Sequence, residues 1–319
     1  MSRIVNQITV VGIGSAGCNT VTRLYDMNVS QNAKLVAVHT EEVHLEKSRA
    51  DEKVLVGERV THGRGTGGVV SVGARVMTED LSSVISKVGS PKTLIVCGGL
   101  GGGMGSGGMP VLLEYYKEKY PDILRLVVTT FPFKFEGLNR KENATHGLTR
   151  LMDLADLTVL NLNDILFESI REYPMMVGFK LLDLILALTI KGMVDIITKG
   201  GDIGISYGDF EAVSRNAGLG MVGHGTGVNV REAVENAISN VYLDGVGTSD
   251  SYALVYVATP ENVTMGEASI APDTVSKKYE VTRMFWGHRI ESRNNVQVML
   301  LVSNVQSDSV TSVRSGFLL

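Results

Sequence analysis

The sequence is poor in cysteine and proline and has no long uninterrupted apolar run. Its 319 residues include two cysteines and seven prolines, and neither Cys18 nor Cys97 lies in a Cys-x-x-Cys or Cys/His spacing. A disulfide framework or a zinc site is therefore not expected, and both cysteines are interpreted as small packing residues. The most apolar stretch, residues 175–190, contains Lys180 and Asp183, and the first residues lack the pattern of a signal peptide. We expect a protein of the reducing cytoplasm with no direct membrane insertion.

Basic charge is sparse as well. The chain has 30 lysines and arginines against 34 acidic residues, for a net charge of −4, and no basic block is present. A nucleic-acid partner is therefore not expected. The lysine-bearing phosphate loop Gly-x-x-x-x-Gly-Lys-Ser/Thr is also missing, and residues 161–164, Asn-Leu-Asn-Asp, do not form the guanine-reading motif of the proteins that carry that loop. A nucleotide site would need another fold.

Glycine is abundant, with 36 residues, and it is concentrated in two loops. Residues 98–110 read Gly-Gly-Leu-Gly-Gly-Gly-Met-Gly-Ser-Gly-Gly-Met-Pro, with seven glycines among the ten positions 99–108. Between an apolar strand and a helix, such a loop can turn backbone N–H groups toward an anion. Residues 12–17, Gly-Ile-Gly-Ser-Ala-Gly, match the dinucleotide fingerprint, which also occurs in plain tight turns. Two such loops together favour a nucleotide diphosphate or triphosphate as the ligand.

The first half of the chain alternates between apolar runs and helical patterns. The apolar runs predict strands at residues 8–13, 35–38, 93–97, 124–130 and 157–160. Helical spacing predicts helices at residues 69–88, 106–120 and 139–155. This alternation is typical of an α/β fold with a Rossmann-like parallel sheet covered on both faces, whose ligands bind at the carboxyl ends of the strands. Both glycine loops lie there.

The second half of the chain has a different texture. A long helix is predicted at residues 175–199, starting after Pro174. Beyond Gly200 and Gly201 the elements are shorter, with strands predicted at residues 220–223, 252–258, 279–286 and 296–302 and helices at residues 230–241 and 264–277. This pattern favours a smaller α+β unit with a mixed sheet. Residues from 306 onward are expected to form a poorly ordered tail.

Four segments in order along the chain carry a family resemblance. They are residues 8–17, residues 98–110, the stretch Thr-Phe-Pro-Phe-Lys-Phe-Glu-Gly at 130–137 and the stretch Gly-Phe-Lys-Leu-Leu-Asp at 178–183. Together they resemble the FtsZ/tubulin superfamily over about residues 7–306, with Met104 in place of the first threonine of the signature Gly-Gly-Gly-Thr-Gly-Ser/Thr-Gly. The resemblance implies a GTP-binding domain at residues 1–174, a central helix at 175–200, a C-terminal domain at 201–306 and a short tail at 307–319.

The resemblance also implies which residues bind a guanine nucleotide. The phosphate contacts would be Gly14, Ser15, Ala16 and Gly17 in the first loop and Gly101, Gly102, Gly103, Met104, Gly105 and Ser106 in the second. Glu136 and Arg140 would lie near the ribose and phosphates, and Asn163 at the sugar and base. Phe179 would stack on guanine while Asp183 accepts hydrogen bonds from its N1–H and 2-amino groups. Taken alone, residues of these two types are more often a core phenylalanine and an exposed helical aspartate.

A further loop and two departures from the family concern the γ-phosphate and the metal. Residues 63–68, Gly-Arg-Gly-Thr-Gly-Gly, occupy the place of the family loop near the γ-phosphate, where Arg64 either touches that phosphate or is solvated. His39 stands where the family often has asparagine, and Glu41 where it often has aspartate. GTP or GDP is the expected ligand, with Mg²⁺ beside it, and no protein residue is assigned as a metal ligand.

Hydrolysis in the family is completed by a loop of the neighbouring subunit. Here the corresponding residues, 200–209, read Gly-Gly-Asp-Ile-Gly-Ile-Ser-Tyr-Gly-Asp. Ser206 replaces one acidic residue of the family pattern, Asp209 retains the other, and Asp202 is an additional carboxylate that also reads as a turn residue. We therefore expect a cytoskeletal GTPase that polymerises head to tail, with Asp209 and Asp202 as the candidate catalytic residues and slow turnover, since serine is a poor proton acceptor.

Two alternatives and the choice of partners stay open. The first alternative is a GTP-binding filament or scaffold protein with little hydrolysis, because Ser206 replaces an aspartate. The second is an NAD-dependent oxidoreductase, which would rest on residues 12–17 alone. The expected partner is a second copy of the chain, with a related FtsZ-like protein left open. Recruitment by membrane adaptors is not expected unless Phe-Leu-Leu at 317–319 serves as a docking motif.

Overall fold

Most strands of the protein join one large sheet. A computed structural model describes residues 7–281 and 283–315. Ten strands join in the order β10-β9-β11-β7-β6-β5-β4-β1-β2-β3, and β12 pairs separately with β8. The strands are β1 (Ile8–Ile13), β2 (Lys34–His39), β3 (Glu52–Leu55), β4 (Thr93–Gly99), β5 (Leu124–Phe131), β6 (Leu157–Leu162), β7 (Gly218–Gly227), β8 (Gly245–Val246), β9 (Tyr252–Thr259), β10 (Arg283–Ile290), β11 (Val296–Ser303) and β12 (Gln306–Ser307).

Helices connect most of the strands. They are α1 (Gly14–Asp26), α2 (Glu42–Lys47), α3 (Glu58–Thr61), α4 (Val70–Glu79), α5 (Leu81–Val88), α6 (Met109–Lys119), α7 (Leu138–Leu154), α8 (Asn163–Ile170), α9 (Met175–Thr198), α10 (Tyr207–Ser214), α11 (Val230–Ser239), α12 (Met265–Ala268), α13 (Ile270–Tyr279) and α14 (Asp308–Arg314). A π-helical turn at Met104–Gly108 precedes α6. Among the described residues, no helix combines the length and apolarity needed to cross a membrane.

The pairing of strands explains their apolar sequences. Strands β3, β2, β1, β4, β5 and β6 are all parallel. Strands β1 and β5 are buried along their whole length, as expected for parallel strands covered on both faces. Strand β11 runs antiparallel to β7 and β9, whereas β10 is parallel to β9. The predicted α/β fold with a mixed sheet in its C-terminal part is confirmed.

The long helix α9 connects the two halves of the sheet. It has 24 residues, which corresponds to a length of about 36 Å. Its apolar side, which includes Leu186, Ile190 and Val194, is buried against α1 and β5. Strand β7 then pairs in parallel with β6, so one sheet continues past residue 201. The division into domains stays a prediction.

Several predicted bounds differ in the structure, and three of the differences concern two helices and the tail. The helix predicted at 69–88 is two helices, because Asp80 interrupts it and accepts a hydrogen bond from the Gly57 N–H at 2.6 Å. The helix predicted from residue 106 begins at Met109, after the π-helical turn. The prediction of a poorly ordered tail is wrong for residues 306–314, where β12 pairs with β8 and Ser307 caps α14. Residues 317–319, with the proposed docking motif, lie outside the described residues.

Candidate functional site

A cleft of about 370 Å³ opens at the carboxyl ends of the parallel strands. The two glycine loops follow β1 and β4, which are neighbours in the sheet and pair Gly12 with Cys97. From β1 the chain continues to β2 on one side, whereas β4 and β5 lie on the other. This change of direction is the place where open parallel sheets bind ligands. The alternation of strands and helices in the sequence predicts that a ligand binds at the carboxyl edge of the sheet. The order of the strands shows where along this edge the cleft lies.

The cleft brings together most of the residues predicted to bind a nucleotide. All but three of them lie in its wall: Gly14, Ser15, Ala16, Gly102, Gly103, Met104, Gly105, Glu136, Arg140, Asn163, Phe179 and Asp183. The exceptions are Gly17, Gly101 and Ser106. Gly17 lies behind the first loop, where a Cβ would be 2.5 Å from the Cys97 carbonyl oxygen. Ser106 is buried and its Oγ accepts a hydrogen bond from the Gly101 N–H at 2.9 Å, which braces the second loop from behind.

Two glycines of the second loop show two different requirements. A Cβ on Gly105 would lie 1.9 Å from the Gly99 carbonyl oxygen, so the loop itself requires glycine there. A Cβ on Gly102 would meet no protein atom within 4 Å, although Gly102 lines the cleft. Its surroundings leave room for a ligand to approach the backbone. Open space beside backbone amides suits an anion.

The polar wall of the cleft holds few mobile charges. Glu136 is fixed by an ion pair with Arg140 at 2.9 Å and by a hydrogen bond from the Phe133 N–H at 3.0 Å. Arg64 also lines the cleft, and its backbone pairs with that of Glu41 in a short antiparallel bridge. An anion in the cleft would therefore meet backbone N–H groups and two guanidinium groups.

The other end of the cleft suits a flat base with adjacent N–H donors. Phe179 is 42% exposed and packs edge-on against Phe133. The Asp183 side chain is only 14% exposed, and Arg23 lies 3.9 Å away. Burial raises the pKa of Asp183 to about 6, although Arg23 and a hydrogen bond from Asn19 oppose the shift. Asn163, also buried, has a side-chain oxygen without a hydrogen-bond partner.

Comparison with known proteins decides the family. The model of the Tubulin/FtsZ family, GTPase domain, matches residues 7–171. Cell division protein FtsZ 1 of Methanocaldococcus jannaschii is 36% identical over 307 residues, which are 94% of this chain and 84% of that protein. The chain belongs to the Tubulin/FtsZ family. The family resemblance inferred from the four segments is confirmed, and the chain is an FtsZ-like cytoskeletal GTPase.

Other relatives and solved structures agree with this assignment. Cell division protein FtsZ 1 of Archaeoglobus fulgidus is 35% identical over 317 residues, covering 97% of this chain and 85% of that protein. The structure of an empty FtsZ dimer of M. jannaschii superposes with a TM-score of 0.84 at 35% identity, over 93% of this chain and 88% of that one. A GTPgS-bound protofilament of CetZ2 from Haloferax volcanii has the same fold, with a TM-score of 0.84 at 22% identity over 98% of this chain and 97% of that one.

The candidate catalytic residues of this FtsZ-like protein lie outside the cleft. Both follow α9, whereas Phe179 and Asp183 lie near its start. The Asp202 carboxylate accepts a hydrogen bond from the Ile290 N–H at 2.7 Å. One oxygen of Asp209 accepts hydrogen bonds from the Ser206 N–H at 2.8 Å and the Ser206 hydroxyl at 2.7 Å. Ser206 thus caps α10, a role that the spacing Ser-x-x-Asp would have predicted.

Three further residues of the cleft wall lie in segments that the sequence had already pointed to, although no role was predicted for their side chains. Thr130 lies near the end of β5 and Pro132 just beyond it, while Thr66 belongs to the loop at 63–68. The position of Thr130 near the carboxyl end of a parallel strand was a usable signal. Thr66 and Pro132 belong to the loop at 63–68 and to the stretch at 130–137. The place of their own side chains in the wall depends on how these two segments fold back over the sheet.

The cleft fits a metal only together with a phosphate ligand. Within residues 7–281 and 283–315, no three histidine, cysteine or acidic side chains gather into a metal-binding group. Mg²⁺ is commonly held by one or two carboxylates and the phosphates of a nucleotide. Of the carboxylates in the wall, Glu136 is paired and Asp183 is buried at the base end, which leaves Glu41 as the candidate ligand.

Proposed function

We propose that this FtsZ-like protein binds GTP between subunits, polymerises head to tail into filaments, and completes hydrolysis in trans with the loop around Asp209. The proposal rests on the distance between the cleft and the loop around Asp209. Asp183 and the end of α9 are fifteen residues apart on one helix, a distance of about 22 Å. The start of α10 also lies at the amino end of β4, where the Tyr207 hydroxyl is 3.1 Å from the Thr93 Oγ1, so Asp209 lies at the edge of the sheet opposite the cleft of its own chain. In a head-to-tail contact, the loop of one subunit faces the cleft of the next.

The chemistry of the cleft supports a guanine nucleotide. The glycine-loop amides with Arg64 and Arg140 suit the phosphates, and Phe179 offers a face for stacking. Asp183 would accept the two N–H donors of guanine, and adenine lacks that pair. Mg²⁺ would be held with the phosphates, where it offsets their charge and polarises the γ-phosphoryl group. Glu41 is the proposed protein contact to that ion.

The rim of the cleft supports a contact with a second copy. Large apolar side chains are exposed beside the base end of the cleft. Phe135, at 65% exposure, and Met175, at 72%, line a neighbouring pocket with Tyr173 and with Phe179, which also lines the cleft. Apolar groups gathered next to a site favour a protein contact there. A second subunit that packs against these side chains would close the cleft. We infer that the protein assembles into filaments in the cytoplasm. A related FtsZ-like protein is proposed as an additional partner.

The test is turnover measured against protein concentration. With GTP and Mg²⁺, we expect phosphate release per subunit to be negligible at low concentration and to rise above a threshold at which sedimentation detects polymer. Trans catalysis requires this behaviour, because an isolated subunit lacks the second half of the site. A rate per subunit that does not depend on concentration, or a lack of polymer with every nucleotide, would overturn the proposal.

A second candidate is a GTP-binding filament or scaffold protein with little hydrolysis. It is favoured by one observation: Asp209 is held by Ser206 at the start of α10, so one of its carboxylate oxygens is already engaged. This candidate predicts polymer with undetectable phosphate release, and Ser206→Asp should then raise turnover.

A further inference from the structure

His39 lies in the wall of the cleft between two polar partners. It is the last residue of β2 and is 4% exposed. Its Nδ1 accepts a hydrogen bond from the Glu41 N–H at 2.7 Å, and its Nε2 lies 3.0 Å from the Ser15 Oγ. The ring stacks on His44, with centroids 4.8 Å apart and planes 13° from parallel.

These contacts decide where the protons are. A backbone N–H can only donate, so Nδ1 must carry a lone pair, and in the neutral ring the proton lies on Nε2. Nε2–H then donates to the Ser15 oxygen.

The arrangement has a consequence for Ser15. Its oxygen accepts from His39, so its own hydroxyl hydrogen is free to donate elsewhere. Ser15 is exposed, lines the cleft and lies in the first turn of α1, where the backbone N–H groups also lack partners. A hydroxyl turned outward at a helix N-terminus is placed to donate to an anionic oxygen.

We propose that His39 is a positioning residue that orients the Ser15 hydroxyl as a hydrogen-bond donor to a phosphate oxygen of the bound nucleotide. This inference rests on the proposed function, since it assumes a nucleotide in the cleft. His39 also holds residues 39–42 in place, and these pair with residues 63–65 through Thr40, Glu42 and the bridge from Glu41 to Arg64. A test must therefore separate the contact to Ser15 from the contact to Glu41.

Asparagine and glutamine at position 39 separate the contact to Ser15 from the contact to Glu41. In His39→Asn, the amide oxygen takes the place of Nδ1 and keeps the Glu41 contact, but no donor reaches Ser15. In His39→Gln, the longer side chain places an N–H group near the position of Nε2. We expect His39→Asn to weaken GDP binding about tenfold by calorimetry, and His39→Gln to stay within about threefold of the unchanged protein. Thermal unfolding of each variant checks that it is folded.

The Ser15→Ala background provides the matched control. If His39 acts through Ser15, the two amide variants should bind GDP equally in that background, because the acceptor oxygen is gone. A difference that persists there, or asparagine binding as well as glutamine in the parent protein, would overturn the inference and leave the proposed function intact. If the unchanged protein binds neither GDP nor GTP, both fail.

A spectroscopic measurement tests the same point without any substitution. Long-range ¹H–¹⁵N correlation of the histidine rings should show His39 as the neutral Nε2–H form at pH 7. A second spectrum with GDP bound should show the same form. An Nδ1–H form or a charged ring at pH 7 would contradict the proposed role.

Discussion

At the level of single side chains, Asp183 combines an unfavourable environment with a proposed role. Its carboxylate is buried at the base end of the cleft, and burial raises its pKa to about 6 from an ordinary value of 3.8. A raised pKa means that folding favours the protonated form. The charged carboxylate therefore lowers the stability of the nucleotide-free protein. This loss of stability sets in as the pH rises above the ordinary value of 3.8 and is complete above about 6. A bound guanine would supply the donors that the carboxylate lacks.

Replacing Asp183 with asparagine should separate stability from binding. Without nucleotide, we expect the stability advantage of Asp183→Asn over the parent to be smaller at pH 5 than at pH 7.5 by about 1 kcal/mol. The parent loses stability over this range until its folded-state carboxyl is ionised, whereas asparagine does not titrate. At pH 7.5 the variant should be more stable by about 1–2 kcal/mol, since one pKa unit corresponds to about 1.4 kcal/mol and Arg23 loses its partner. Urea unfolding at both pH values measures this difference.

The same variant should bind GDP at least about tenfold more weakly at pH 7.5, because the charged acceptor of two hydrogen bonds is gone. Glu172→Gln is a suitable control, since that side chain is 89% exposed and should alter neither quantity. A constant stability difference between pH 5 and pH 7.5 would show that Asp183 does not titrate in this range.

Single residues also show how far sequence reasoning reaches. Phe179 and Asp183 are four residues apart on a helix, so their placement on one face was predictable from spacing. Within the second glycine loop, spacing could not separate Gly102, which faces the cleft, from Ser106, which braces the loop from behind. That distinction depends on the π-helical turn at Met104–Gly108, where the local backbone leaves the α-helical period.

At the level of elements, the start of α10 links helix capping to the proposed catalysis. Ser206 and Asp209 form a reciprocal capping box, in which Ser206 Oγ also accepts from the Asp209 N–H at 3.1 Å. The box holds the Asp209 carboxylate in one orientation. An equivalent box starts α12, where Thr264 and Glu267 make the same three contacts.

The two boxes allow a matched comparison. We expect Ser206→Ala and Thr264→Ala each to lower the unfolding free energy by about 1 kcal/mol, the usual contribution of an N-cap. Only Ser206→Ala should also lower GTP turnover, by several-fold, because it frees the Asp209 carboxylate to adopt other rotamers. Phosphate release above the assembly threshold measures this. Equal turnover in the two variants would remove Ser206 and its box from the mechanism.

Helices and strands with a clear periodic pattern of apolar residues were predictable from the sequence, whereas short helices and strands were not. The bounds of β1 and α9 follow from runs of buried side chains and from Pro174 at the start of the helix. Helices α2, α3 and α8 and strand β3 were not predicted, because four to eight residues carry too little periodicity. The tail was predicted to be poorly ordered because of its terminal position, yet Arg314 pairs with Asp153 on α7, a contact that position along the chain does not encode.

At the level of the whole molecule, α9 separates the cleft from the loop at residues 200–209, which contains Asp202 and Asp209. The loop is also tied to the C-terminal strands, since Ile203 pairs with His288 and Asp202 accepts from the Ile290 N–H. A head-to-tail contact uses two different surfaces of each subunit, so it continues as an open filament when the rotation between subunits does not close a ring. Two defective subunits should therefore be able to complement each other.

Mixing two inactive variants tests this directly. Asp183→Ala should impair the cleft and leave the loop intact, and Asp209→Ala should do the reverse. Each alone should release little phosphate, whereas a mixture should regain turnover wherever an intact cleft faces an intact loop. Phosphate release at a fixed total concentration measures the effect. A mixture no faster than the sum of its parts would exclude catalysis shared between subunits, and a mixture with the double variant Asp183→Ala/Asp209→Ala is the control.

Residue order was sufficient to predict the α/β fold, the two glycine loops and the family, because apolar periodicity and glycine content act locally along the chain. It also predicted that acidic residues follow the central helix. Only the folded structure shows that β1 and β4 are neighbours and that Gly17 and Ser106 lie behind the loops of the cleft wall. It also shows that Ser206 donates hydrogen bonds to the Asp209 carboxylate. It likewise shows that His39 contacts Ser15. These contacts join residues that are distant in sequence or depend on side-chain direction, and only the pairing of strands and packing of loops bring such groups together.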